Sequence, residues 1–167
     1  MSGTSTAPAA AATAEPRRPR LFGSLPRAER RLAIAIALVA LVGVGIATYL
    51  VYVHYAGIKP LCVSGPGGGC EKVQTSEFSK LAGIPVAVLG LAGYLAILGS
   101  LLVRGDIGRL AGAAIALSGF GFSMYLTYRE IFTIKAICQW CVGSAVLMTL
   151  LAILTVVRLL KSPPDPV

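Results

Sequence analysis

Cys138 and Cys141 close the motif Cys138-Gln139-Trp140-Cys141 at the head of the last long apolar run. On a helix, residues three apart lie on neighbouring turns of one face. A helix N-terminus offers unpaired N–H groups and partial positive charge, and both stabilise a thiolate. The thiolate is the species that attacks a disulfide, so this setting favours fast thiol–disulfide exchange. A bridge across one helical turn restrains almost nothing, which makes a purely structural role a poor use of the pair. Cys62 and Cys70 lie in the only long polar segment between apolar runs. The stretch Ser64-Gly65-Pro66-Gly67-Gly68-Gly69 between them cannot hold a helix and reads as pliable. Such an arm lets one sulfur meet a soluble partner while the other reaches the C-x2-C pair, and exchange requires that direct contact. On the residues alone two other readings stay open. The outer cysteines can be disulfides that merely brace a loop. All four can also form a thiolate zinc site, although C-x7-C with C-x2-C is unusual spacing for zinc.

The elements that must position these thiols are membrane spans. The chain has 167 residues, 56% of them hydrophobic and 13% charged, with a mean hydropathy of +0.78. A soluble domain of this size has too little interior to hide that much apolar surface. Four runs without charged residues, 32–54, 84–103, 110–128 and 137–157, approach the 20 or so apolar residues that cross a bilayer. The sequence therefore predicts an all-α integral membrane protein, a four-transmembrane-helix bundle forming one domain over 32–157. A large extracytoplasmic loop, 55–83, joins helices 1 and 2. Within it Glu71–Lys80 suits a short interfacial helix, and Pro85 stands where the start of a helix tolerates it. Gly43 and Gly45 would allow close helix contact in the first span. Residues 1–31 have the composition of a disordered tail, and 158–167 form a second tail. The first apolar run is too long for a signal-peptide core and reads as a retained span.

The net charge of +8 is a matter of topology and does not point to nucleic acid. Arg17, Arg18, Arg20, Arg27, Arg30 and Arg31 precede the first span. Arg104 and Arg109 join spans two and three, and Arg158 and Lys161 follow the last. Only Lys59, Lys72, Lys80, Arg129 and Lys135 fall on the other side. Basic flanks stay in the cytoplasm, which predicts cytoplasmic termini and four extracytoplasmic cysteines. Disulfides form and persist in that compartment. Electrons arriving there need an acceptor, and the chain carries no haem-attachment motif and no Rossmann glycine fingerprint. A lipid-soluble quinone between helices rich in Ala, Gly, Leu and aromatics fits.

Taken together, Cys62-x7-Cys70, Ser76 six residues later, Gly83-Ile84-Pro85, Gly90, Tyr94 and Cys138-x2-Cys141 resemble the vitamin K epoxide reductase family, in particular its bacterial members. The resemblance runs from the first span to the fourth. It implies a four-helix bundle around a quinone, menaquinone or ubiquinone, in the cell's inner (plasma) membrane. It also implies that Cys141 contacts the quinone, that Cys138 exchanges with Cys70, and that Cys62 exchanges with a thioredoxin-like protein. Ser76 matches a family serine near the quinone, although an N-cap or turn hydroxyl is an equal reading. The implied activity is that of a membrane thiol:quinone oxidoreductase supporting disulfide bond formation. Nothing after the fourth span supplies a fused redox domain, so the partner is expected to be a separate protein. Vertebrate members carry a tyrosine where this chain has Ala145, and their outer loop is longer. Quinone reduction, not epoxide reduction, is therefore the implied chemistry. The remaining polar and aromatic residues of the outer side read as bystanders: His54 as an interfacial anchor, Trp140 and Tyr128 as an aromatic belt, Arg129 and Glu130 as a solvated rim.

Overall fold

The computed structural model describes residues 27–62, 69–76, 79–81, 83–103 and 105–161. Helix α1 (Arg27–Ala56) starts five residues before the expected span, with Glu29 in its first turn, where the helix dipole favours an acid. A short helix α2 (Gly69–Gln74) follows the cysteine loop. Two two-residue strands, β1 (Lys80–Leu81) and β2 (Ile84–Pro85), then pair antiparallel. The turn between them includes Gly83 at φ +84°, a conformation that glycine adopts without strain. Helices α3 (Val86–Leu102), α4 (Asp106–Arg129) and α5 (Gln139–Lys161) complete the chain. Pro85 is the residue just ahead of α3. Its ring needs no N–H there, because the first amides of a helix have no intrahelical partner.

The protein is an all-α membrane protein apart from that minimal strand pair. Three helices among the described residues are long and apolar enough to cross a bilayer: Arg27–Ala56, Asp106–Ile134 and Gln139–Lys161. Helix α3 is equally apolar but has 17 residues, a length of roughly 26 Å at the α-helical rise. The glutamate and the residues after it were expected to lie in a loop. Instead α4 runs directly into a π-helical turn, Glu130–Ile134, a form found mostly at functional sites. Lys135 ends the turn in the left-handed region at φ +51°.

The four long helices pack as a ring: α1 against α3 and α5, and α4 against the same two. Ile36, Ala40, Ala47, Tyr94, Ile97, Ala116, Met148, Leu151 and Ala152 fill the centre. Tyr94 is the key of this core. Its ring lies over Gly43, where any Cβ would overlap it, and its hydroxyl meets Ser144 Oγ at 2.8 Å. This bears out the close contact expected at Gly43. Gly45 has open space before it and serves no such contact. Leu38, Leu41, Leu95, Leu117, Val146 and Ile153 point outward, half or more exposed, as lipid-facing side chains do.

The starts of α1 and α4 and the end of α5 meet at one end of the ring. There Arg109 donates to Glu29 Oε1 through Nη2 at 2.9 Å and to Asp106 through Nη1 at 2.8 Å. Arg158 Nη2 lies 3.7 Å from the same glutamate oxygen. The side chains of Glu29 and Arg109 are only 8% and 9% exposed, so these basic residues do more than flank the spans. Removing one partner of a buried ion cluster typically costs about 3–5 kcal/mol. Glu29→Gln is expected to destabilise the bundle by about 3 kcal/mol, the low end of that range, because Asp106 still faces Arg109. Thermal unfolding in detergent measures it, and an unchanged midpoint would show that the cluster is relaxed by solvent. All four cysteines lie at the opposite end of the ring.

Candidate active site

Helix α5 opens on a cysteine for a local reason. The Cys138 carbonyl accepts the first intrahelical bond, from Val142 N–H at 2.9 Å, which makes Cys138 the N-cap. An N-cap side chain accepts from the amides two and three residues on. Here the Cys138 sulfur does so, taking the backbone N–H groups of Trp140 and Cys141. Its thiol is held below the ordinary range, chiefly by a hydrogen bond from the Cys141 thiol. Burial opposes this, and the Cys141 and Trp140 amides assist it, while the charge of Glu130 works against it. The thiol whose pKa is lowered at the helix start is therefore Cys138, which is completely buried.

Cys62 and Cys70 are joined in a disulfide with Cα atoms 6.5 Å apart, while Cys138 and Cys141 are free thiols. Cys70, Val73 and Cys138 form one buried cluster, with Cys62, Ile134, Ala136, Trp140 and Cys141 packed around it. The middle two sulfur-bearing residues are the most buried, and Cys141 is half-buried like Cys62. Cys62 is half-buried at the rim, whereas Cys70 is 2% exposed and Cys138 is 0% exposed. Gly69 makes this approach possible. A Cβ on it would collide with the backbone carbonyl oxygen of Ile137 and stand 2.8 Å from its nitrogen. Its part is thus close approach, beyond the pliability expected of the glycine run, and residues 63–68 of that run lie outside the described residues.

Two aromatics hold the near end of the loop. Trp140 Nε1 donates to the Leu61 carbonyl at 2.8 Å, and Leu61 N–H donates to the Tyr49 hydroxyl at 3.0 Å. The two rings lie 5.0 Å apart. Trp140 therefore clamps the loop beside Cys62, its N–H finding a partner in the carbonyl of the exposed Leu61. Tyr128 is exposed and packs on Phe132 at 4.7 Å, in keeping with the belt reading. His54 meets Tyr55 edge-on at 5.5 Å and does not line the cavity that holds Cys141.

That cavity has a volume of about 170 Å³ and opens among all four long helices. Cys141, Ser76 and Glu130 line its polar end, and Ile46, Leu50, Val86, Ile115 and Phe122 contribute apolar walls. Gly90 and Gly93 line it too, with nothing near where a Cβ would stand, which leaves room for a flat ring. The donor set and the walls fit a quinone headgroup. Ser76 takes the turn position and also borders the cavity. Its hydroxyl donates to Val73 O at 2.7 Å in the turn after α2, and its oxygen also lines the cavity.

Glu130 is the residue that sequence reasoning missed. It is 4% exposed, far from a solvated rim, because the π turn rotates it inward. Its Oε2 accepts the Cys138 N–H at 3.3 Å, and its carboxylate meets the Cys141 thiol. An ionisable residue at the end of an apolar span is a functional candidate by default, and that signal was available. The sequence model for the vitamin K epoxide reductase family (VKOR) matches residues 34–156. This stretch includes the four cysteines, the cavity and the acid beside it, and the chain belongs to the vitamin K epoxide reductase family.

Proposed function

We propose that the protein is a membrane thiol:quinone oxidoreductase that supports disulfide bond formation in a separate extracytoplasmic thioredoxin-like protein. The observation that carries this reading is the gathering of all four cysteines in one cluster, with Cys62 at its loop side and Cys141 lining the cavity. Members of the family are in general quinone-dependent oxidoreductases. We take α3 as a fourth span, with both termini cytoplasmic and the cysteine end outside. The basic flanks Arg27, Arg30, Arg31 and Lys161 support that orientation.

A partner thiolate attacks Cys62, and Cys70 leaves as a thiol. The partner's second thiol then resolves the mixed disulfide and leaves oxidised. Cys70 next attacks Cys138 of an oxidised Cys138–Cys141 pair. Cys141 leaves as a thiol, and Cys62 then attacks Cys70 and frees Cys138, which re-forms Cys62–Cys70 and leaves the inner pair reduced, the pairing that the structure holds. A quinone in the cavity supplies a two-electron, two-proton acceptor. Cys138 and Cys141 then form their disulfide and release two electrons and two protons to it.

Purified protein is expected to oxidise a reduced thioredoxin-like protein only when quinone is added. Oxidation at the same rate without quinone would sink the proposal. A Cys70→Ala variant is expected to accumulate a mixed disulfide between Cys62 and the oxidised partner, because without Cys70 only reversal through the partner's own thiol releases it.

A further inference from the structure

Oxidation of the inner pair raises a question of protons that the cysteines cannot answer. Forming the Cys138–Cys141 bond breaks two S–H bonds. Cys138 gives up its proton the more readily, because the Cys141 thiol and the amides at the start of α5 hold its pKa down. The remaining proton is on Cys141, between two acceptors. One is the Cys138 sulfur. It cannot keep the proton, because it ends the step bonded to Cys141. The other is the Glu130 carboxylate, which meets the Cys141 thiol and lines the same cavity.

We propose that Glu130 is a catalytic proton carrier, taking the proton from Cys141 Sγ and delivering it to the oxygen of a quinone reduced in the cavity. The role rests on the quinone reading above. As Cys138 Sγ bonds to Cys141 Sγ, the electron pair passes to the quinone and the Cys141 S–H bond breaks toward Glu130. Glu130 then gives that proton to a quinone oxygen and returns to a carboxylate. The second quinol proton comes from solvent, replacing the one that Cys138 lost beforehand. Atoms and charge balance with the quinone as the only oxidant.

The site is built for this task. The π turn places the acid within reach of both cysteines, and Lys135 in the left-handed conformation closes the turn so that Cys138 can cap α5. The hydrogen bond from Cys138 N–H at 3.3 Å fixes the carboxylate, leaving its remaining lone pairs for the thiol and the cavity. A structural carboxylate would need only the amide bond. Placement on Cys141 and on the cavity wall is what a proton carrier requires.

Two measurements on Glu130→Gln test the assignment, since glutamine keeps an oxygen for the Cys138 amide. Positioned acid–base groups contribute about 10²–10⁴-fold, so kcat for quinone reduction is expected to fall by about 100-fold while the quinone KM stays within about three-fold. Glu130→Asp, which retains a carboxylate, is expected to recover part of that loss. The second readout needs no quinone. In the reduced protein the Cys141 S–H stretch, identified by its loss in Cys141→Ala, is expected to move to higher frequency in Glu130→Gln, because an amide is the weaker acceptor. An unmoved band overturns the proposal. So does a wild-type kcat in Glu130→Gln, or an aspartate variant no better than the glutamine one. Absence of quinone turnover in the wild-type protein overturns the parent function and this role with it. Turnover in the wild type that persists in Glu130→Gln overturns this role alone.

Discussion

Cys141→Ala is expected to abolish quinone-dependent turnover, a loss of about 10⁴-fold or more, as when a nucleophile is removed from an active site. The variant is expected to leave a specific trace besides inactivity. Cys138 keeps its place at the head of α5 against Cys70, and the outer disulfide remains within its reach. Attack on Cys70 yields a Cys70–Cys138 disulfide and frees Cys62. With no sulfur at position 141, nothing behind Cys138 can resolve that bond. Alkylating the released Cys62 draws the exchange to completion. Peptide mapping without reductant reads the Cys70–Cys138 crosslink, and its absence after Cys62 is blocked would mean that the two pairs do not communicate. Cys138→Ala gives the contrasting result, since it removes the sulfur of the inner pair that shares a buried cluster with Cys70. That variant is expected to be equally inactive and to form no crosslink.

Gly69→Ala is expected to slow transfer between the pairs by about 100-fold, the typical penalty for displacing a reacting group by about 1 Å. The added methyl would collide with the main chain of Ile137, which cannot rotate aside as a side chain can. Helix α2 must shift, and Cys70, its second residue, moves with it away from Cys138. Val73 and Gln74 of α2 line only one side of the cavity, whereas the inner pair and the walls from α1, α3 and α4 belong to other elements. Quinone reduction driven by a small dithiol that reduces Cys138–Cys141 directly is therefore expected to run at the wild-type rate, while reduction driven through a thioredoxin-like protein collapses. Stopped-flow bleaching of quinone with each donor separates the two. Equal rates for variant and wild type with the protein donor would remove Gly69 from the argument.

The features legible in the sequence were those that depend on composition and local spacing. Lipid-length apolar runs located the long helices, since length and hydropathy decide a span without tertiary detail. The C-x2-C motif announced a helix-start thiolate, and Cys138 caps α5 accordingly. The pairing of Gly43 with Tyr94 was half legible: the glycine could be marked, its partner could not. What failed to show was long-range or depended on an irregular turn. Glu130 reads as a surface acid if the helix simply ends at Arg129. Only the π turn carries it inward, and no propensity rule foretells one. Trp140 looked like an interfacial aromatic because its hydrogen-bond partner, the carbonyl of Leu61, is 79 residues away in sequence. Arg109 and Arg158 read as flanking charges because the acid they share, Glu29, lies on another helix.

Cys138 holds two posts at once, and the second makes the oxidation state of the inner pair a matter of architecture. As a free sulfur it accepts from the amides of Trp140 and Cys141. Once bridged, that sulfur is uncharged and a far poorer acceptor, so the amides of Trp140 and Cys141 lose their counterpart. A lost cap weighs about 1 kcal/mol, enough to loosen the leading coil of α5 by several-fold each time electrons depart. The indole that grips Leu61 rides on that same coil. In the proposed cycle, each oxidation of the inner pair would thus relax the handhold beside Cys62, and each reduction would tighten it.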